Sequence, residues 1–545
     1  MEAFTLFGLS AVLASLFFVF ASFWFCSQDK IRGPPSPSFL YGHSIEITRE
    51  DDVGQYHVEW MNEFGWAWRL RECLGKDNLW FADPRAIQHI FNKSGPNYAR
   101  RTESKYISRQ LMGESILCAD GYQHSRMRRI MEPAFGTAQL RSFTALFRDS
   151  ARKLSKKWRE QLDTADSETD SIINISRWFS RASLDVIGEA AFEYDCGALD
   201  DGESELVRAY RNMLRDSIMY PSRIMLVFRS TWQYLPDFLL RLIISYLPTR
   251  EYRRIHKSLG MINSLSRRLI DEKSQLLLDS RDLKRRDIMS LLVKANNSEN
   301  PKTRLTDEEM VAQVATFLLA GHETSANALT WLLWELAKNP ICQHRLREEI
   351  AAVRADIHAR GGSDFTAADL ESMLYLNATI KEGLRLHPLV YLLVRTAQAD
   401  DVIPLSRPVM TSSGRSISEI HVQKGQNVSV SVWAYQRLPE IWGDDANQFN
   451  PDRFLRLDKE RQINLGTYAN LMAFGGGRKA CLGWRFAVFE IQTFLVEIIE
   501  NFKFAIPADK PDIQRVPAGV MIPMIRGKMV HGSQMPLHIT PTMAY

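Results

Sequence analysis

With 545 residues the chain is about three times the usual domain length, so a single small module is excluded. Its 45% apolar and 24% charged residues are ordinary globular usage, which excludes wholesale disorder. Lys and Arg number 68 against 64 Asp and Glu, too balanced for a nucleic-acid partner held by bulk charge, and six cysteines (Cys26, Cys73, Cys118, Cys196, Cys342 and Cys481) lie too far apart for a disulfide scaffold or zinc ribbon.

No charge occurs from Ala3 to Gln28. As a helix, Phe4 to Cys26 would be about 35 Å long, enough to cross a hydrocarbon core of about 30 Å. The bulky Phe23-Trp24-Phe25 stands where a signal peptide needs small residues, so the segment reads as a retained anchor. Glu2 precedes it and Lys30 and Arg32 follow, which puts the rest of the chain on the cytosolic side. Gly33-Pro34-Pro35-Ser36-Pro37 then reads as a stiff hinge.

Helical patterns dominate from about 120 to 390, and short alternating segments appear near 66–82, 392–432 and 516–540. The expected fold class is mainly α with a smaller β-rich part assembled from both ends of the chain. Residues 211–247 are rich in large apolar side chains, most of them expected in a core helix pair and some dipping into a membrane surface. A long helix is expected from Thr306, which opens a capping box with Glu309, to about Lys338, before Asn339-Pro340. Its apolar run is broken halfway by Gly321-His322-Glu323-Thr324-Ser325, and such a break in a buried helix points to function. Glu382 and Arg385, at i and i+3, share a helix face.

Residues 474–483 read Phe-Gly-Gly-Gly-Arg-Lys-Ala-Cys-Leu-Gly, just before an amphipathic helix expected to about Glu500. The three glycines permit a tight backbone approach to something flat or bulky. The helix start, Arg478 and Lys479 are each expected to favour a Cys481 thiolate.

This segment resembles the haem-binding loop of cytochromes P450, FxxGxRxCxG, with Phe474, Gly477, Cys481 and Gly483 at its fixed positions and Lys479 where Arg is usual. Ala320 to Thr324 looks like the family's oxygen-activation segment, Glu382 to Arg385 like its ExxR helix, and Pro451 to Phe454 like its PxRF segment. The resemblance extends over essentially the whole chain, including an anchor (1–28) and hinge (29–37) of microsomal type ahead of a catalytic domain (38–545). It implies the cytochrome P450 fold, one haem b, O2 and NADPH-derived electrons as co-substrates, and a single-pass protein of the endoplasmic reticulum membrane.

By that resemblance Cys481 is the axial ligand of the haem iron, and the thiolate's electron push favours O–O cleavage. Thr324, with Glu323, supports proton delivery during oxygen activation, and Gly321 leaves room on the ligand side of the helix. His322 is structural. Glu382, Arg385 and Arg453 form a buried ionic cluster that supports the fold. Phe474 packs beside the sulfur, and His124, Arg128, Arg395 and Lys479 serve the haem propionates. His124 stands where the family commonly has Trp. NADPH-cytochrome P450 reductase is the implied partner, with cytochrome b5 a further one, and Arg126 and Arg129 are candidate docking residues.

The distal pocket is expected from 98–118, 211–247, Phe317, Ala320 and 389–394, with no acid or Arg standing out as a substrate counter-ion. A neutral lipophilic molecule follows, such as a terpenoid, sterol-like or fatty one. The segment Val409 to Gly425 is similar to an insert in microsomal P450s of mushroom-forming fungi, which favours secondary metabolism or detoxification. Two rivals keep the haem: an isomerase or dehydratase acting on a peroxide, and a non-enzymatic gas sensor. The intact Gly321-Glu323-Thr324 segment speaks against the first, and the apolar distal segments speak against the second.

Overall fold

The computed structural model describes residues 30–164, 171–200, 221–245, 250–278, 287–296, 304–456 and 465–542. The expected anchor lies outside them, and among the described residues no helix is long and apolar enough to cross a membrane. The start of the Pro-rich segment is pinned to the folded body. Ile31 is buried and bridges Thr411, and Arg69 N–H donates to the Arg32 carbonyl at 3.1 Å.

Helical periodicity in the first half condenses into α1 (Thr102–Met112), α2 (Gly121–Met131), α3 (Thr144–Asp163) and α4 (Ile175–Phe192). The second half adds α5 (Arg250–Leu278), α6 (Asp307–Lys338), α7 (Pro340–Ala359), α8 (Leu374–Leu386) and α9 (Trp484–Asn501). Helix α6 is the axis around which α4, α5, α8 and α9 pack. Its start is fixed by the capping box: Thr306 Oγ1 accepts from Glu309 N–H at 3.2 Å, and the Glu309 carboxylate accepts from Thr306 N–H at 3.0 Å. Pro340, which cannot continue the helix, begins α7. Helix α6 is about 48 Å long, and 22 of its 32 residues are buried, an arrangement stable only at the centre of a large fold.

Gly321 has a different reason from the one expected. A Cβ there would stand 2.8 Å from Ile187 Cδ1 on α4, so the missing side chain lets two helices touch. The expectation that it clears the ligand side is corrected: Ile187 takes that space.

The strands are β1 (Ala67–Arg71), β2 (Asp77–Phe81), β3 (Tyr98–Arg100), β4 (Ile172–Asn174), β5 (Leu392–Ala397) and β6 (Asp401–Met410). They continue with β7 (Ser416–Val422), β8 (Asn427–Ser431), β9 (Phe502–Ala505), β10 (Ile513–Ala518), β11 (Val520–Ile525) and β12 (Pro536–Pro541). The main sheet runs β1-β2-β8-β5-β3, so chain segments from both ends meet in it. A second sheet runs β4-β12-β9, and β6-β7 and β10-β11 are hairpins. The segment 409–425, read as an insert, is the outer half of the β6-β7 hairpin and the turn after it.

Aromatic packing sets where α9 lies. Phe486 meets Phe147 of α3 edge-on, with ring centroids 4.9 Å apart at 90°. A buried ring pair of this kind is worth about 1 kcal/mol beyond its area. Of the apolar segment 211–247, residues 211–220 and 246–247 lie outside the described residues. The described part forms helices over Arg223–Thr231 and Asp237–Ser245, and Trp232, just after the first, makes a small cluster with Leu240 of the second and Tyr106, apart from the main core.

Candidate active site

The loop carrying Cys481 closes on itself, the Cys481 N–H donating to the Phe474 carbonyl at 2.8 Å. Gly475 and Gly477 take φ of +69° and +64°, a region that strains any side chain. A Cβ on Gly477 would stand 2.0 Å from the Phe91 carbonyl oxygen. The close approach at Gly477 is therefore to the main chain of the turn at Phe91. A Cβ on Gly483 would meet the Phe135 ring at an ordinary 3.7 Å, and Phe474 packs edge-on to Tyr468.

Cys481 is an exposed residue between buried Ala480 and the start of α9. Burial of its sulfur within the fold pushes the thiol up, and the Gly483 N–H and the Arg128 charge pull the other way without prevailing. The expectation that Arg478 and Lys479 favour the thiolate is corrected. Arg478 is exposed, and Lys479 is drawn into an ion pair with Asp120. The cation that acts is Arg128, whose Nη1 donates to the Ala480 carbonyl at 2.7 Å and ties α2 to the loop.

On α6, Thr324 Oγ1 donates back to the Ala320 carbonyl at 2.6 Å, and Ala320 is exposed within an otherwise buried stretch. The Glu323 carboxylate turns towards His322 Nε2 at 3.2 Å and the Asn327 amide at 3.3 Å. Burial alone would raise its pKa, but His322 and Asn327 hold it below the usual carboxylate range. His322 is buried and also meets Ser180 Oγ of α4 at 3.3 Å.

Arg100, which the sequence did not single out, lies within electrostatic reach of His124, Arg395 and Lys479, three of the residues nominated for an anionic group. Arg100 of β3 stands directly opposite Arg395 of β5 in the antiparallel ladder. Like charges in such a pair are destabilising on their own. Arg395 is 8% exposed, lies 4.9 Å over the Phe91 ring and donates to the Val394 carbonyl at 2.8 Å. Burial and Arg100 push its pKa down to about 9. His124, buried on α2, is pushed to about 4 by burial, Arg100 and Arg128, so it is neutral and offers an anion one ring N–H without a charge. Lys479 is pushed to about 7 by burial, Arg100 and Lys105, a second cation that the sequence did not single out. Arg100 Nε is buried without a hydrogen-bond partner. Among the described residues neither Arg100 nor Arg395 forms an ion pair. Arg100 and Tyr98 had been read as pocket lining; Tyr98 is buried instead, its hydroxyl donating to Asp401 at 2.9 Å.

Of the basic run on α2, Arg126 is spent on an ion pair with Glu309 of the α6 cap, while Arg129 is exposed. Glu382, Arg385 and Arg453 form one buried cluster. Arg385 is held bidentate by Glu382 at 2.7 and 2.8 Å and reaches the carbonyls of Gln436 and Ala446, both at 2.7 Å. Arg453 Nε lies 3.5 Å from the same carboxylate and is held more closely by Asp445.

The distal segments are only partly apolar in outlook. Phe317 is nearly buried, edge-on to Phe135 at 5.6 Å, and Gly113 at the end of α1 lets Ala312 of α6 approach. Leu392 and Leu393 lie in β5, half-buried.

Comparison with known proteins agrees with this arrangement. The family model described as Cytochrome P450 matches residues 32–530. The chain is 33% identical to cytochrome P450 monooxygenase 205 of Postia placenta, over 94% of this chain and 92% of that protein. It is 30% identical to cytochrome P450 monooxygenase claQ of Ampulloclitocybe clavipes, over 93% and 92% respectively.

Proposed function

The chain belongs to the cytochrome P450 family, and from that premise we propose that it is a membrane-anchored haem-thiolate monooxygenase, placing one oxygen atom of O2 in a lipophilic small molecule by hydroxylation or epoxidation. The family uses haem b, O2 and reducing equivalents from NADPH.

The residues present fit that group, and one observation carries the reading. Beside Cys481 lies a knot of buried and half-buried cations that repel one another, with Arg100 Nε lacking any partner and Lys479 paired with Asp120. Two propionates supply the negative charge such a knot needs. Arg100, Arg395, Arg128 and Lys479 hold them as cations and His124 as a neutral donor. Cys481 would hold the iron as a thiolate, since coordination to a cation would override the burial that favours its neutral thiol. The Gly483 N–H donates to its sulfur and moderates its basicity. Thiolate-ligated haem supplies the electron push that favours O–O cleavage over reversible oxygen carriage.

Proton handling falls to α6. Thr324 Oγ1 keeps lone pairs free to accept while its own proton rests on the Ala320 carbonyl. Glu323, held ionised by His322, takes up and passes on a proton and does not store one. Exclusion of water falls to Phe317, Phe135 and the apolar segments around them.

A membrane-facing side is supported by exposed apolar residues on two neighbouring segments. Ile224 is 82% and Phe238 74% exposed, and Phe39 and Leu40 are exposed shortly after the anchor. Lys76 and Leu74 lie between the two, Lys76 donating to the Ser230 carbonyl at 2.6 Å and Leu74 N–H to the Leu40 carbonyl at 3.2 Å. That face suits a lipophilic substrate entering from an endoplasmic reticulum bilayer. Electrons come from NADPH-cytochrome P450 reductase, with cytochrome b5 as a second donor and exposed Arg129 available for docking. The similarity to fungal enzymes favours secondary metabolism, including terpenoid oxidation.

The test is turnover by membranes carrying the chain, reductase and NADPH under isotopically labelled O2. One labelled oxygen per product, dependent on NADPH, supports the reading. Rearrangement of a lipid peroxide without NADPH, and no labelled product, would replace it with the isomerase reading.

A further inference from the structure

A cleft of about 740 Å³ opens away from the Cys481 site and shares no residue with it. It forms where the helix Gln55–Phe64, the C-terminal ends of α6 and α8, the short helix Val432–Tyr435 and strand β10 converge. Its size is that of an ordinary small-molecule site, but charges and amides line it.

Three acids and three bases line its wall, but they do not all pair with one another. Asp52 is taken by Arg515, accepting from its main-chain N–H at 2.8 Å and pairing with its guanidinium. Glu335 is taken by Lys338 and by His387 Nε2, each at 2.8 Å. Glu59 accepts from the Gln55 amide at 3.1 Å. Arg437 is left over. It is 6% exposed, and its Nη1 and Nη2 donate only to the main-chain carbonyls of Trp433 and Leu386. Among the described residues no carboxylate pairs with it. Its guanidinium lies 3.3 Å over the Trp433 ring, and Arg515 sits 5.4 Å from the same ring, so two cations share one indole. Arg515 Nε is buried without a hydrogen-bond partner. Burial, Arg515 and Arg385 together push the Arg437 pKa well below its ordinary value, and Glu335 and Asp52, each paired elsewhere, oppose them only in part. A buried guanidinium in that state is costly to keep.

We propose that this cleft binds a small oxyanion, a carboxylate or a phosphate, with Arg437 as its charged anchor and the partly exposed Arg515 guanidinium as a second cation beside it. Both anions match the planar fork of a guanidinium. Asp52 and Glu335 are already paired with cations, and Glu59, held only by the Gln55 amide, is exposed to water.

The test uses the haem-loaded full chain in detergent, unfolded by heat and followed by loss of its Soret band. Sodium phosphate and sodium acetate are titrated separately against sodium chloride at matched ionic strength. A saturable rise in Tm with either oxyanion, absent with chloride, is expected. Phosphate alone or acetate alone assigns the class, and both together assign a general oxyanion site. The apparent Kd should weaken at least ~10-fold in Arg437→Gln and in Gln448→Glu, an effect of about 1.4 kcal/mol. The second variant adds a negative charge to the cleft wall and keeps the main-chain oxygen that Arg385 uses. It therefore decides the matter even where Arg437→Gln fails to fold. A non-saturating rise of equal slope in wild type and Gln448→Glu, or no rise at all, would overturn the proposal. An unchanged Soret spectrum in the variants separates that outcome from any fault in the haem site.

Discussion

Replacing Glu382 by alanine removes the centre of the cluster that locks α8 to the segment 436–453. Its carboxylate carries four contacts: Arg385 Nε at 2.7 Å, Arg385 Nη2 at 2.8 Å, the Asn450 N–H at 2.9 Å and Arg453 Nε at 3.5 Å. Both Glu382 and Arg385 are wholly buried, so the guanidinium would be left without a counter-ion in a site water does not reach. Breaking a buried pair in this way costs about 3–5 kcal/mol, and the stranded Asn450 donor adds on the order of 1 kcal/mol. Arg453→Ala should cost much less, about 1–2 kcal/mol. Arg385 would then keep Glu382, and the abandoned partner Asp445 is about a third exposed and can be hydrated. Urea unfolding followed by far-ultraviolet circular dichroism measures both. Glu382→Ala destabilising by under ~1 kcal/mol, or Arg453→Ala costing as much as Glu382→Ala, would refute the account of the cluster.

Other residues give sharper readings of single features. Glu490 of α9 is fully buried and accepts from Ser183 of α4 at 2.8 Å; burial, opposed only by the Ser325 and Ser183 hydroxyls, pushes its pKa up to about 7. The folded state therefore keeps a proton that the unfolded chain releases, and the stability this gives is full below about 4.5 and lost as pH rises to about 7. Glu490→Gln should abolish that loss, on the order of 3 kcal/mol, in urea melts from pH 5 to 8. Gly321→Val should force α4 away from α6 and lower stability by about 2 kcal/mol, whereas Ile187→Ala in the same chain should recover part of it. Arg100→Met should lower haem retention on gel filtration more than Arg129→Met, because only Arg100 faces the cation knot.

Local signals made much of this legible in the sequence. The capping box at Thr306 and Glu309 and the stop at Pro340 bracket α6 because both act through neighbours in the chain. The Glu382–Arg385 pair was visible at i, i+3 for the same reason. Contacts between distant segments were not visible. Arg100 meets Arg395 only because β3 pairs with β5, and the run that holds it looked like pocket lining. Gly321 looked like clearance for a ligand because its true neighbour, Ile187, lies on another helix. Lys479 looked like a source of thiolate bias until Asp120, far away in the chain, claimed it. The oxyanion cleft draws on six separate segments, and none of them carries a local pattern that announces it.

The central claim is that Cys481 ligates haem iron as a thiolate. The carbon-monoxide difference spectrum of the reduced protein in its own membranes tests it most directly, with Cys481→Ala alongside. The wild type should give the red-shifted Soret band of a thiolate-ligated haem, and Cys481→Ala should lose it while keeping a folded far-ultraviolet spectrum. A wild-type protein that is well folded and haem-loaded but lacks that band, or a Cys481→Ala protein that retains it, would contradict the account.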